Sequence, residues 1–351
     1  MIEWSVARQA ARLSIGSQEP VELGVDLRAL CARMELHVAG CTRLELAAPA
    51  PAAETVSRRE WAELNLASFE KMLDPVAERL DERLAFAGPL AGALRLGAGA
   101  TIAAEAGLVM GYMAQRVLGQ YELSLLGAEA PPRLLFVAPN LASAVRELEV
   151  DEESFFGWIA IHELTHVFQF QGVPWLRDHL GGLIREYLAT VDVKIERGDA
   201  GGLPALPDLS KLVDAFREGG LVALVQSREQ RDLMDRMNAA MAVVEGYSEL
   251  VMDALGERLL PAYEGLRAAM ERRRRSRSAP ERILQRLLGL ELKLRQYERG
   301  RGFCDAVAAH EGMEGLNQVW ASPDALPSPR ELERPQLWLE RMRTKRLEPV
   351  L

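Results

Sequence analysis

Apolar residues recur at helical spacing along most of the chain. Ser57 and Glu60 have the spacing of a capping box, in which a hydroxyl and a carboxylate satisfy backbone N–H groups at a helix start. They open an amphipathic run predicted to reach about residue 84. Ser227 and Gln230 open a second, in which Met234, Met237, Met241 and Val244 keep the helical period to about residue 255. Further helices are predicted near 3–14, 26–38, 100–119, 152–171, 176–196 and 280–298. One segment departs from this pattern. After Pro131 and Pro132, residues 133–138 (RLLFVA) are an unbroken apolar run stopped by Pro139 and Asn140, which suits a buried strand. The expected class is α+β, predominantly helical with a small β-sheet. Residues 47–54, rich in Ala and Pro, and 198–207, rich in Gly and Pro, read as linkers. Two regions are expected within one compact unit, an N-terminal helical region at 1–130 and a region at 131–351 that carries the chemistry.

Composition narrows the function classes. With 42 Lys+Arg against 51 Asp+Glu in 351 residues, the net charge is −9, and 48% of residues are apolar. That excludes a disordered chain, and it argues against a nucleic-acid partner, whose phosphates need a concentrated positive surface. The basic cluster at 272–275 with Arg277 reads as a solvated helix end facing the C-terminal dipole. Cys31, Cys41 and Cys304 are odd in number and match neither a disulfide framework nor a thiolate metal knuckle, so a reducing compartment is expected. The N-terminal stretch mixes charge into its apolar residues from position 3, unlike an export signal. Residues 98–118 are apolar but carry Glu105, Gln115 and Arg116 among many Gly and Ala. A membrane span would bury each charge at a cost of roughly 2.5–3.5 kcal/mol, so a tightly packed helix is expected. The reading is a cytoplasmic protein with no membrane partner.

The chemistry lies in His162-Glu163-Leu164-Thr165-His166, inside the apolar helical run 155–170. Histidines at i and i+4 share one helical face and converge on one ion, while the intervening glutamate is rotated by about 100° from the first of them. That places a carboxylate beside a metal-activated water, as a general base. A catalytic zinc needs a third protein ligand and an open position. The residue six beyond His166 is Gly172, which rules out the metzincin pattern, and His179 reads as a structural histidine or one that supports a ligand from behind. Glu245 is the preferred third ligand. Glu249, one turn later, is placed to hold a ligand imidazole. Gly246 inside this helix costs about 1 kcal/mol relative to alanine, which a close approach to the helix bearing His162 would justify.

These residues sit among others that are similar to a known family. They are the segment 61–80, VLGQY at 117–121, VAPN at 137–140, HELTH with PWLR at 174–177, the EGY and VMD elements of 245–253, LKLRQY at 292–297 and GMEGLNQVW at 312–320. Over nearly its whole length the chain resembles the zincin-like hydrolase family of actinobacteria and related bacteria, whose members often carry a label of association with coenzyme F420 biosynthesis. The resemblance implies a zincin-like fold and a gluzincin-type site for one zinc ion. It implies no substrate, and the label describes genomic company, so F420 binding is not expected. Where the family usually carries a histidine after the Glu-Gly pair, this chain has Tyr247, whose position directs it away from the metal. Similar enzymes take an oxyanion donor from a segment after the third ligand, which makes Tyr297 and Arg295 the candidates. Asn140, at the end of the expected strand, is a candidate to bind substrate backbone. The resulting expectation is a zinc-dependent hydrolase acting on a peptide or amide. The competing expectation is a non-catalytic, metal-stabilised binding or assembly protein on the same scaffold.

Overall fold

The computed structural model describes residues 3–17, 20–84, 91–126, 131–190, 227–261, 263–275 and 290–347. Side chains are described for all of these except 74–84, 91–98, 102, 273–275, 290–297 and 346–347. The elements run α1 (Trp4–Ile15), α2 (Leu27–Thr42), β1 (Ala53–Val56), α3 (Arg58–Leu84), α4 (Ala91–Ala114), β2 (Gly119–Glu122), β3 (Arg133–Val137) and α5 (Ala138–Leu148). They continue with α6 (Glu152–Gly172), α7 (Pro174–Thr190), α8 (Arg228–Leu259), α9 (Tyr263–Arg275), α10 (Leu290–Leu316), α11 (Pro329–Glu333) and α12 (Pro335–Leu347). Short 3-10 turns lie at Asn317–Trp320 and Pro323–Ala325. The protein is mainly helical with a small three-stranded sheet, as the patterning predicts.

Both capping boxes form. Ser57 Oγ accepts from the Glu60 N–H at 3.2 Å while Glu60 accepts from the Ser57 N–H at 2.7 Å. At α8, Ser227 Oγ and Gln230 Oε1 exchange the equivalent bonds at 3.1 and 3.0 Å. The strand ends at Val137, but Pro139 does not simply stop it. It falls in the first turn of α5, where its missing N–H has no partner to lose. The predicted linker at 198–207 and the end of the predicted helix 176–196 lie outside the described residues, as does the start of the helix predicted near 280. Arg272–Arg275 form the last turn of α9, and Arg277 lies outside the described residues.

Contacts do not divide the chain at residue 130. Among the described residues they group those within 3–31 and 51–163 as one unit, and those within 32–50, 164–190 and 227–347 as another. The reason is the sheet, which has the order β1-β3-β2. Central β3 follows residue 130 yet pairs parallel with β1, Ala53 against Leu134 through Val56 against Val137, and antiparallel with β2, Gly119 against Phe136 through Glu122 against Arg133. Helices α2 and α6 are continuous across the division.

In the first unit, Trp4, Ala7, Ala11, Trp61, Leu66, Met110, Leu135 and Val137 belong to one buried cluster. The glycine-rich stretch read as a packed helix is α4, and its Gly107 lies so close to α1 that a Cβ there would sit 2.1 Å from the Ala7 carbonyl oxygen. No helix among the described residues is long and apolar enough to cross a membrane. In the second unit α8 crosses α10, burying Val243, Tyr247, Val251, Phe303 and Val307.

Candidate metal centre

Helix α6 is apolar around nearly its whole circumference, and a helix of that kind is buried on all sides. Asp151 starts it, accepting from the Ser154 N–H at 2.8 Å, a bond that holds the Asp151 carboxyl below the usual range. Glu152 and Glu153 in the first turn complement the helix dipole. One turn apart on this helix stand His162 and His166. Their ligand atoms and one from Glu245 of α8 all lie within 4.8 Å of one another, and His166 Nε2 is 3.9 Å from Glu245 Oε2. The His166 and Glu245 side chains are 11% and 23% exposed. A tetrahedral zinc with bonds of about 2.0–2.2 Å separates its ligand atoms by roughly 3.3–3.6 Å, so the trio closes on an ion with small side-chain movement. Two imidazole nitrogens and one carboxylate are a donor set that zinc takes with a fourth position left for water. The three expected ligands therefore come together.

A residue not anticipated from the sequence orients His166. Gln169, fully buried, meets His166 Nδ1 through Oε1 at 2.9 Å and donates from Nε2 to the Val244 carbonyl at 2.8 Å. Its amide is thereby oriented by two partners. His166 donates from Nδ1, and the Nε2 lone pair is directed toward Glu245 and the ion's place. The Nδ1 partner of His166 is thus Gln169. Glu249 sits half-buried one turn beyond Glu245. The only available sequence signal was one of two amides near the end of an apolar helix, three residues past a histidine.

Glu163 is 6% exposed. Its Oε2 accepts from the backbone N–H of Tyr121, on edge strand β2, at 2.9 Å. Gly119, two residues earlier on the same strand, makes room for it. A Cβ there would lie 2.8 Å from Glu163 Cγ and 2.9 Å from its Oε1. The VLGQY segment thus has a physical role, supplying clearance at its glycine and a donor at its tyrosine.

Tyr247 does point away from the metal ligands. It is wholly buried, donates to Asn317 Oδ1 at 2.8 Å, and packs edge-on against Trp320 with ring centroids 5.5 Å apart. Burial pushes its phenol well above the usual tyrosine range, so it remains a donor. Asn317 in turn donates to the Thr42 carbonyl at 2.7 Å, and Trp175 Nε1 donates to the Trp320 carbonyl at 2.9 Å. These bonds make one brace behind Glu245 out of the PWLR, EGY and GMEGLNQVW segments.

Two expectations need correction. Gly246 does not serve an approach to α6. A Cβ there would lie 2.3 Å from the Gly300 carbonyl carbon and 2.5 Å from Arg301 N, so the glycine admits α10 instead. Asn140 does not face a substrate. It is 3% exposed, donates from Nδ2 to the Ala114 and Val117 carbonyls at 2.8 and 2.6 Å, and accepts from Arg58 Nε at 2.6 Å. Its polar atoms are used to tie the end of α4 and the approach to β2 onto α5. The side chains of Arg295 and Tyr297 lie outside the described residues. His179 is absent from the metal cluster and packs edge-on against Trp175, with ring centroids 5.8 Å apart.

The sequence model of a family described as zincin-like metallopeptidase matches residues 2–339. A crystal structure from Chloroflexus aurantiacus, described as a "putative hydrolase with a novel fold", superimposes with a TM-score of 0.72 at 32% identity, covering 97% of this chain and 99% of that one. No curated protein matches the chain.

Proposed function

Because this chain belongs to the zincin-like metallopeptidase family, we propose that it is a zinc-dependent hydrolase of peptide or amide bonds, with His162, His166 and Glu245 holding one ion and Glu163 acting as general base. The observation that carries this reading is the convergence of two imidazoles and a remote carboxylate within 4.8 Å, next to a buried glutamate on the same helix. A bound zinc would lower the pKa of a coordinated water to about 7 and polarise the scissile carbonyl. Glu163 takes the proton of the attacking water on its carboxylate and returns it to the departing nitrogen. The Tyr121 N–H holds one of its oxygens at 2.9 Å, so the base is oriented before a substrate arrives. Gln169 keeps His166 in the tautomer that presents Nε2 as ligand. Arg295 and Tyr297 are the proposed donors to the developing oxyanion.

The test is digestion of a peptide library by the zinc-loaded protein, read by mass spectrometry, with elemental analysis alongside. Wild type should cleave and retain one zinc. Glu163→Gln should keep the ion while cleavage falls by about 10²–10⁴-fold, the usual worth of a general base. Cleavage at the wild-type rate by that variant would overturn the mechanism. Metal-dependent melting with no cleavage of any peptide would favour the non-catalytic scaffold.

A further inference from the structure

The second unit contains a cavity of about 910 Å³ in which none of the three metal ligands takes part. It is bounded by α7, by α8 and by the segment 323–341, and its size falls in the range of small-molecule sites, about 300–1,000 Å³. Ala239, Leu326, Pro327 and Leu337 supply apolar wall. The rest of the lining is charged, and its charges do not cancel.

Arg341 binds both oxygens of Glu331, at 2.7 and 3.2 Å, and also the carbonyls of Asp324 and Leu326, at 2.7 and 3.0 Å. Glu333 pairs with Arg299 at 3.1 Å. Those groups are spoken for. What remains on the wall is Arg236 of α8 with Arg330 and Arg334 of the C-terminal segment, opposed by the single carboxylate of Asp324. The three arginine side chains are exposed and have no hydrogen-bond or ion-pair partner among the described residues. The charge of Arg236 reaches the neighbouring His179, where burial and then that guanidinium lower the imidazole pKa. Cationic side chains left unpaired around one concave wall, with their usual carboxylate partners bonded elsewhere, are a receptor for an anion supplied from outside. Guanidinium forks match the paired oxygens of phosphate and carboxylate alike.

We propose that this cavity binds a small organic polyanion, bearing phosphate or carboxylate groups, through Arg236, Arg330 and Arg334. The site is separate from the metal centre, and it stands whether or not the protein hydrolyses peptides.

The experiment is titration calorimetry on the full zinc-loaded chain with pyrophosphate and, separately, with citrate, at matched ionic strength. One of the two should bind once per chain with a submillimolar Kd. Preference for pyrophosphate assigns a phosphate-bearing ligand, and preference for citrate a polycarboxylate. Arg236→Gln combined with Arg334→Gln should weaken binding at least tenfold with unchanged melting behaviour, because both residues are on the surface. Arg236→Lys, which keeps charge but loses the fork, should lie between. His166→Ala, which removes a metal ligand, should bind the probe as wild type does. Absence of binding by both probes, binding that survives the double substitution, or binding lost in His166→Ala would each overturn the assignment.

Discussion

Substituting Gly246 by alanine tests the packing that supports Glu245. An alanine Cβ would lie 2.3 Å from Gly300 C and 2.5 Å from both Arg301 N and Gly300 O. Non-bonded carbons settle at about 3.5–4.0 Å, so α10 would have to withdraw by more than about 1 Å. All three atoms are helix backbone, so no rotamer change relieves the clash. A radial gap of about 0.5–1 Å already forfeits a quarter to a half of each facing van der Waals contact. The facing residues here are fully buried and include Val243, Tyr247, Phe303 and Val307. Overpacking commonly costs about 1–3 kcal/mol, and an unyielding backbone puts this site at or above the top of that range. Alanine's better helix propensity returns about 1 kcal/mol. The expected net loss is about 2–3 kcal/mol. Urea unfolding followed by the fluorescence of buried Trp320 and Trp338 measures it. The control is Gly302→Ala on the facing helix α10, where a Cβ meets nothing within 4 Å, and a gain of about 0.5–1 kcal/mol is expected. Wild-type stability in Gly246→Ala, or a comparable loss in Gly302→Ala, would refute the reasoning.

Three further expectations concern separate parts of the molecule. Gly119→Ala would push on Glu163 Cγ from 2.8 Å, displacing the base but not the metal ligands, so zinc retention should be unchanged while peptide cleavage falls at least about tenfold. Gln169→Ala removes the partners of His166 Nδ1 and of the Val244 carbonyl, and zinc affinity measured by chelator competition should fall by about 10–100-fold. Burial alone would raise the Glu331 carboxyl, but bonds from Arg341 and from the Ser328 N–H and hydroxyl outweigh it and hold the carboxyl below its ordinary 4.5. A depressed folded-state pKa contributes stability that is present above the ordinary value and lost as pH falls through the folded one. Thermal melts of Glu331→Gln should therefore lie furthest below wild type near neutral pH and converge on it in acid, only after the pH has fallen below the ordinary 4.5. A difference that grew in acid would contradict the sign.

How much was legible before folding follows from the range of each interaction. The capping boxes at Ser57 and Ser227 are exchanges between residues three apart, so the residue types alone predict where α3 and α8 begin. The His162 and His166 pair is equally local, because helical periodicity already places both rings on one face. The choice of Glu245 rested on a carboxylate set among apolar residues at 243–244 and 250–252, a setting visible in residue types alone. Strands β1 and β2 were not legible. A stretch such as AETV or GQYE is a strand only because β3 accepts its hydrogen bonds, and nothing within four residues encodes that partner.

The same limit applies at the site. The anchor of Glu163 comes from a backbone N–H 42 residues earlier, and Gln169 bridges to a carbonyl 75 residues later. A main-chain donor carries no side-chain signature, so its use cannot be read from residue type. Gly246 was correctly suspected of admitting a neighbouring backbone, but which helix approaches depends on how α8 and α10 cross. Asn140 was a candidate because it ends the expected strand. Folding instead surrounded it with two carbonyls and a guanidinium. Residue types and their spacing were enough to show which groups could bind an ion, since that depends on donor chemistry and helical periodicity. Tertiary structure alone decided which groups hold them in place, since each such bond joins segments distant along the chain.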